Sequence, residues 1–71
     1  MAKVIKAHIT GTVWKIEVKV GDSVDEGTVV AILESMKMEM PVESEDSGTV
    51  KEIHVNEGQP VTEGDPVVTL D

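Results

Sequence analysis

The sequence predicts an all-β fold in which two copies of one motif are related by a pseudo-two-fold axis. The first observation is an internal repeat: Gly11–Glu34 aligns without gaps with Gly48–Asp71, 37 positions later. The second is composition, because Val and Ile dominate the apolar residues and β-branched side chains favour strands. Two copies are too few to stack into a solenoid, so we expect a single small symmetric domain spanning residues 1–71.

The repeat also predicts the hydrophobic core. A chain of this size buries only roughly 60% of its unfolded surface, so its core has to be compact and shared by both halves. Apolar residues of the first half that have apolar mates in the second half are the expected core. They are Val13, Ile16, Val18, Val24, Val30 and Leu33, with the mates Val50, Ile53, Val55, Val61, Val67 and Leu70.

Each half is expected to contain the same succession of short strands. Apolar and polar residues alternate along Trp14–Val20, which is the period-two pattern of a strand with one buried face. Turn-forming residues bracket Val24 within Gly21–Gly27. The apolar run Val29–Leu33 then predicts a well-buried strand, and Val67–Leu70 repeats it at the end of the second half.

Charge and composition narrow the function. The formal net charge is −8 at pH 7, which argues against nucleic acid as a partner and favours basic faces on other proteins. The chain has no cysteine, and His8 and His54 lack metal-ligand spacing, so no metal site is expected. No set of catalytic residues stands out. The N-terminus has no long apolar run, so we expect no signal peptide, no membrane partner and a cytoplasmic location.

The segment Glu34–Met40 joins the two halves and carries Lys37. Its Glu, Met and Lys residues favour a helix by propensity, but seven residues cannot sustain an isolated helix. Pro41 also disfavours the helical conformation in Met40 before it. The repeat therefore predicts a tight hairpin between two strands, with Lys37 on the connection.

The symmetry predicts where this hairpin lies. A shift of 37 residues equates Glu34 with Asp71 and Met38 with Met1. The hairpin thus corresponds to the gap between the chain termini. We expect Lys37 at one end of the domain and both termini at the other, which is a suitable geometry for a carrier arm.

The segment Glu34-Ser35-Met36-Lys37-Met38-Glu39 resembles the attachment motif of biotinyl domains, whose usual form is Glu-Ala/Ser-Met-Lys-Met. The resemblance covers the whole chain, including the turn at Gly21–Gly27 and the Ser-Gly-Thr-Val segment at Ser47–Val50. The chain is most similar to small stand-alone biotin/lipoyl attachment proteins and to biotin carboxyl carrier subunits. This resemblance implies a flattened β-barrel or sandwich of two four-stranded antiparallel sheets.

The resemblance also implies roles for the residues of the motif. Lys37 would carry biotin through an amide bond made by a biotin protein ligase. Met36 and Met38 would be flanking recognition residues, and Glu34 would lie on the strand that enters the turn. The loaded domain, expected to be monomeric, would carry carboxylate between biotin carboxylase and carboxyltransferase sites and would not itself be an enzyme.

Two alternatives remain open. A lipoyl carrier would hold lipoate on the same lysine, although lipoyl domains usually show Asp-Lys-Ala where this chain has Met36-Lys37-Met38. An unmodified β-domain would serve only protein interaction. In a separate, purely structural interpretation, Lys37 is an ordinary surface lysine and Met36, Met38 and Met40 fill the core. The chain also departs from the family at Ala7–Thr10, where many relatives have a proline-containing turn.

Overall fold

The computed structural model describes residues 3–71, which form eight β-strands and no helix. The strands are β1 (Lys3–Lys6), β2 (Gly11–Ile16), β3 (Ser23–Val24), β4 (Val29–Ser35), β5 (Met38–Glu43), β6 (Gly48–Ile53), β7 (Pro60–Val61) and β8 (Pro66–Leu70). This confirms the all-β prediction. Within the described residues, nothing forms a helix of the length and apolarity that crossing a membrane requires.

The strands assemble into two four-stranded antiparallel sheets. One sheet has the strand order β1-β8-β6-β3 and the other has the order β5-β4-β2-β7. Each sheet contains strands from both halves of the chain, so the halves are interleaved. The flattened sandwich implied by the family resemblance is confirmed.

The two sheets are copies of each other under the sequence repeat. Exchanging β1 with β5, β2 with β6, β3 with β7 and β4 with β8 converts one strand order into the other. Backbone hydrogen bonds repeat in the same way: Val13 N donates to Gln59 O at 2.9 Å, and Val50 N donates to Asp22 O at 2.8 Å. The pseudo-two-fold symmetry read from the sequence is therefore present in the backbone.

The core agrees with the repeat. Ten of the twelve expected core residues are buried, and the remaining two, Ile16 and Ile53, are partly buried and pack against the core. Further buried apolar residues come from the edge strand of each sheet, its neighbour and one connection. They are Ile5, Ala7, Ala31, Val42 and Val68.

The strand expected over Trp14–Val20 is wrong in its bounds, because β2 covers Gly11–Ile16, and wrong for two residues of its expected buried face, Trp14 and Val20. A β-bulge falls between Val13 and Lys15 and shifts the register of β2 on β4. A bulge inserts one unpaired residue, so Trp14 lies 47% exposed instead of facing the core. Its ring centroid is 5.7 Å from Lys15 Nζ, a cation–π distance. Val20 is exposed as well, at 64%.

Lys3 and Leu70 lie at the end of the fold opposite Lys37. Lys3 pairs with Leu70, and Lys3 Nζ donates to the carbonyl oxygen of Ser47 at 3.1 Å. Ser47 follows the far end of β5, whereas Lys37 immediately precedes that strand. The neighbouring β4 has seven residues and spans roughly 20 Å at about 3.3 Å per residue. The predicted separation between Lys37 and the terminal strands is confirmed for Lys3 and Leu70. The predicted equivalence of Met38 with Met1 lies outside the described residues.

Candidate functional site

Lys37 lies on the two-residue turn that joins β4 to β5. Ser35 and Met38 are the last paired residues of the hairpin. Between them, Met36 and Lys37 have φ angles of 52° and 65°. Positive φ at both central positions is typical of a type I′ turn, whose twist matches that of antiparallel strands. The hairpin predicted from the sequence is confirmed, and its turn type is now defined.

This turn holds its backbone in an uncommon conformation. A residue other than glycine in the left-handed region costs about 1–2 kcal/mol, and both central residues adopt it. Six residue pairs between β4 and β5 maintain the hairpin against this cost. Lys37 is therefore presented on a defined turn at the tip of a well-paired hairpin.

The flanking methionines lie largely in solvent. Met36 is 93% exposed and Met38 is 62% exposed, so the alternative in which both fill the core is wrong. Met40 is partly buried. Long apolar side chains in solvent beside one lysine indicate a contact surface.

Glu34 lies on the strand that enters the turn, as expected, and its side chain is exposed. It pairs directly with Glu39 across the hairpin, which places two carboxylates opposite each other near Lys37. Like charges in this arrangement are unfavourable. The backbone carbonyl oxygen of Glu34 lies so close to Gly11 that a β-carbon at position 11 would collide with it.

Lys37 is exposed and takes part in no ion pair within residues 3–71. The ion pair found among residues 3–71 joins Lys51 to Asp71 at 4.0 Å. Both residues are far from the Lys37 turn in the sequence. No neighbouring carboxylate therefore holds the Lys37 ammonium in place. The amine is accessible to a partner protein that approaches the tip of the hairpin.

A shallow apolar depression of about 200 Å³ lies beside the turn. It is lined by Ile9, Ser35, Met36, Met38 and Met40. Ile9 comes from the connection between β1 and β2 and also packs against the core. Sequence reasoning did not assign Ile9 to the site, although the repeat contained a signal: its mate in the second half is the charged Asp46.

A larger groove of about 890 Å³ runs along the edge strands β1 and β5. Its apolar floor includes Ile5 and Val42, and Glu43, Glu45 and Asp46 are among its acidic residues. These three acids are exposed. Met40 lines both the groove and the depression beside Lys37.

Comparison with known proteins identifies the family. The model of the biotin/lipoyl family, described as "Biotin-requiring enzyme", matches residues 1–70. The chain belongs to this family. The motif around Lys37 and the symmetric two-sheet fold both resemble this family, and the family match agrees with both.

Two curated relatives match over nearly the whole chain. The "Biotin/lipoyl attachment protein" of Bacillus subtilis is 47% identical over 66 residues, which cover 93% of this chain and 90% of the relative. The "Biotin carboxyl carrier protein" of Streptococcus mutans is 44% identical over 69 residues, covering 97% of this chain. The chain spans about half of that carrier protein, namely 53%.

A solved structure shows the same fold inside a much larger enzyme. The urea carboxylase of Kluyveromyces lactis superposes with a TM-score of 0.94 and 38% sequence identity. The match covers 100% of this chain and 6% of the urea carboxylase. The fold described above is therefore also found as a small part of a multidomain carboxylase.

Proposed function

We propose that this chain is a biotin carboxyl carrier whose attachment site is Lys37. The observation that carries the proposal is the exposed lysine at the tip of the β4–β5 hairpin, on the type I′ turn between two exposed methionines. The relatives support it, because they include a biotin carboxyl carrier protein and a urea carboxylase. Residues 1–71 would then form one biotinyl domain that acts as a carrier and not as a catalyst.

The site fits covalent attachment of biotin. An amide bond requires an accessible primary amine, and Lys37 is exposed and outside any ion pair of the described region. An exposed lysine is an ammonium at neutral pH and a poor nucleophile, so it does not acylate itself. A biotin protein ligase has to provide an activated acyl donor, whose activating group leaves as the amide bond forms, and accept the proton that the amine loses.

The fold then presents the modified arm. When bound, the cofactor supplies the chemistry of accepting and releasing a carboxyl group. The chain supplies presentation: the hairpin holds Lys37 roughly 20 Å from the opposite end of β4, away from Lys3 and Leu70. A domain attached to a carboxylase at the end that holds Lys3 and Leu70 can direct its arm away from the attachment point. Tethering also raises the local concentration of the cofactor at the biotin carboxylase and carboxyltransferase sites.

Lipoate is not favoured as the cofactor. The turn reads Met36-Lys37-Met38, not the Asp-Lys-Ala usual in lipoyl domains, and both methionines are exposed where a ligase would contact them. The similarity to a urea carboxylase points the same way. Biotin therefore explains the composition of the turn better than lipoate does.

Intact mass spectrometry tests the proposal. The protein is co-expressed with a biotin protein ligase in one culture and with a lipoate ligase in another, and both are grown with the matching cofactor. A biotinyl adduct in the first culture, located at Lys37 by peptide mapping, is the expected result. A lipoyl adduct alone, or an unmodified protein in both cultures, would contradict it.

A further inference from the structure

Three apolar residues lie across the sheet that contains the β4–β5 hairpin. Ile32 of β4 pairs with Pro41 of β5. On its other side, Ile32 faces the bulge of β2, where Trp14 and Lys15 together oppose it. Trp14, Ile32 and Pro41 therefore form a row across three neighbouring strands, which we call the outer apolar row.

The outer apolar row faces solvent and not the core. Ala31 and Leu33, on either side of Ile32 in β4, are fully buried, and successive side chains of a strand point to opposite faces. Trp14 is 47% exposed, Pro41 is exposed and Ile32 is partly buried. The single tryptophan of a chain without Phe or Tyr thus lies on the surface. Tryptophan is among the residue types that most often anchor a protein interface.

The pseudo-two-fold symmetry shows that the fold does not require this row. The equivalents of Trp14 and Ile32 are Lys51 and Thr69, and the third equivalent is Val4. The register shift of the bulge recurs there, between β6 and β8, and Lys51 is exposed. Since the same backbone accepts a charged and a polar residue at these two positions, their apolar counterparts in β2 and β4 are explained by something other than folding.

Acidic side chains flank the outer apolar row. Along β5, Glu39, Pro41 and Glu43 share one face of the strand. Glu34 of β4 pairs with Glu39, and all three glutamates are exposed. An apolar centre with an acidic margin is complementary to a protein surface that has an apolar centre and a margin of lysine or arginine.

We propose that the outer apolar row is a docking surface for the biotin protein ligase that modifies Lys37. The ligase would place apolar side chains against Trp14 and Ile32, and lysine or arginine side chains against the flanking glutamates. This inference rests on the proposed function, because it requires the ligase as a partner. It adds to the contacts at the turn a second contact on β2, where Trp14 lies 23 positions before Lys37 in the sequence.

The length of the unmodified arm favours the ligase over the carboxylase enzymes as the occupant. Before modification, the Lys37 amine has to reach the acyl donor on its own side chain alone, so the ligase has to approach the hairpin closely. An interface of about 800 Å² per partner, if circular, extends roughly 16 Å from its centre. Pro41 follows Met38 by three residues in β5, which is roughly 10 Å. An interface that is centred on the turn and spreads over this sheet therefore covers the row.

The kinetics of biotinylation test the docking surface. Trp14→Lys and Ile32→Thr each install the residue type found at the symmetry-equivalent position. Each should raise the KM for the carrier about tenfold and leave kcat near that of the parent protein, because the lost contact contributes to binding and not to acyl transfer. Val20→Ser is the matched control at another exposed apolar position and should leave both constants unchanged.

Circular dichroism verifies that the variants fold, and Ile32→Thr serves if Trp14→Lys does not. A parent KM in the folded row variants would overturn the docking surface. Absence of labelling in the parent protein, with a ligase that is active on another carrier, would instead contradict the proposed function.

Salt dependence tests the acidic margin. Glu39→Gln combined with Glu43→Gln should raise the KM at low salt, and the KM of this double variant should then vary less with salt than that of the parent. Glu45→Gln combined with Glu52→Gln is the matched control, because these exposed acids lie after β5 and in β6 of the other sheet. The control should keep the salt dependence of the parent. Equal salt dependence in the two double variants would contradict charge complementarity at the row.

A fluorine probe on Trp14 observes the contact directly. The chain has one tryptophan, so incorporation of fluorinated tryptophan gives one fluorine resonance. With the ligase at several times the measured KM and with ATP omitted, this resonance should shift or broaden. An unchanged resonance would overturn the proposal. A shift that grows with carrier concentration in the absence of ligase would assign the row to a second copy of this chain, and would overturn it as well.

Discussion

The carbonyl oxygen of Glu34 occupies the space that a β-carbon on Gly11 would need. This contact joins the start of β2 to the strand that leads into the Lys37 turn. The same relationship recurs at the other end of the molecule, where a β-carbon on Gly48 would lie 2.9 Å from the Asp71 carbonyl oxygen. Two glycines that match in the repeat thus allow the close approach of the same pair of strands in each sheet.

We predict that Gly11→Ala lowers the free energy of unfolding by about 3 kcal/mol, near the upper end of overpacking costs. The added methyl group meets backbone, which cannot move aside as a side chain would. Gly21→Ala is the control, because Gly21 has a φ of 97° and open space around it, so only the conformational cost of about 1–2 kcal/mol applies. Urea unfolding measures the free energy of unfolding of both variants. A smaller loss for Gly11→Ala than for Gly21→Ala would contradict the contact.

Lys37→Arg should eliminate the adduct and leave the fold intact. The side chain is exposed, so the exchange removes no packing, while a guanidinium is not acylated by the ligase. Co-expression with a biotin protein ligase followed by an avidin blot measures labelling, and circular dichroism checks the fold. Lys51→Arg is the matched control and should label normally. Labelling of the Lys37 variant would place the site elsewhere, with Lys51 and Lys15 the next candidates.

Replacing Met36 with Asp and Met38 with Ala should slow biotinylation at least tenfold and change the free energy of unfolding by less than about 1 kcal/mol. Both side chains are exposed, and surface substitutions usually have small effects on stability. Ligation rates and thermal melts are compared with those of Val20→Ala, another exposed apolar position. Parallel loss of labelling and stability would show that the methionines are structural.

Met36→Gly should raise the free energy of unfolding by roughly 0.5–1 kcal/mol. Met36 has a φ of 52°, and glycine removes the cost of about 1–2 kcal/mol for this conformation at an entropic cost of about 0.5–1 kcal/mol. Met38→Gly provides the contrast, since Met38 lies in β5 and should lose about 1 kcal/mol. Equal destabilisation by both substitutions in urea would be inconsistent with a strained turn.

Adjacent residues of the edge strand β1 should differ sharply in their contribution to stability. Ile5 is 8% exposed and Val4 is 48% exposed. Ile5→Ala removes buried methyl groups and should cost about 2–4 kcal/mol, whereas Val4→Ala should cost less than about 1 kcal/mol. Chemical unfolding of the two variants measures the difference. Similar losses would mean that the core does not extend to this edge.

Much of the fold and part of the site were predictable because local pattern and internal symmetry agree. The repeat identified the core around Val13 and Val50, both buried. It also placed Lys37 on a hairpin and at the end opposite Lys3 and Leu70. Symmetry supplies long-range information that a sequence without repeats lacks, since each half constrains the other.

The sequence by itself determined the strand succession, the shared core and the position of Lys37 between the halves, because these depend on residue order and spacing. Only the tertiary structure decided that Trp14 is exposed, since its orientation depends on a bulge in the pairing of β2 with β4. It also decided that Ile9, 28 positions before Lys37 in the sequence, lies beside the methionines. Register and the packing of one connection against another arise from contacts between distant segments, and no local pattern encodes them.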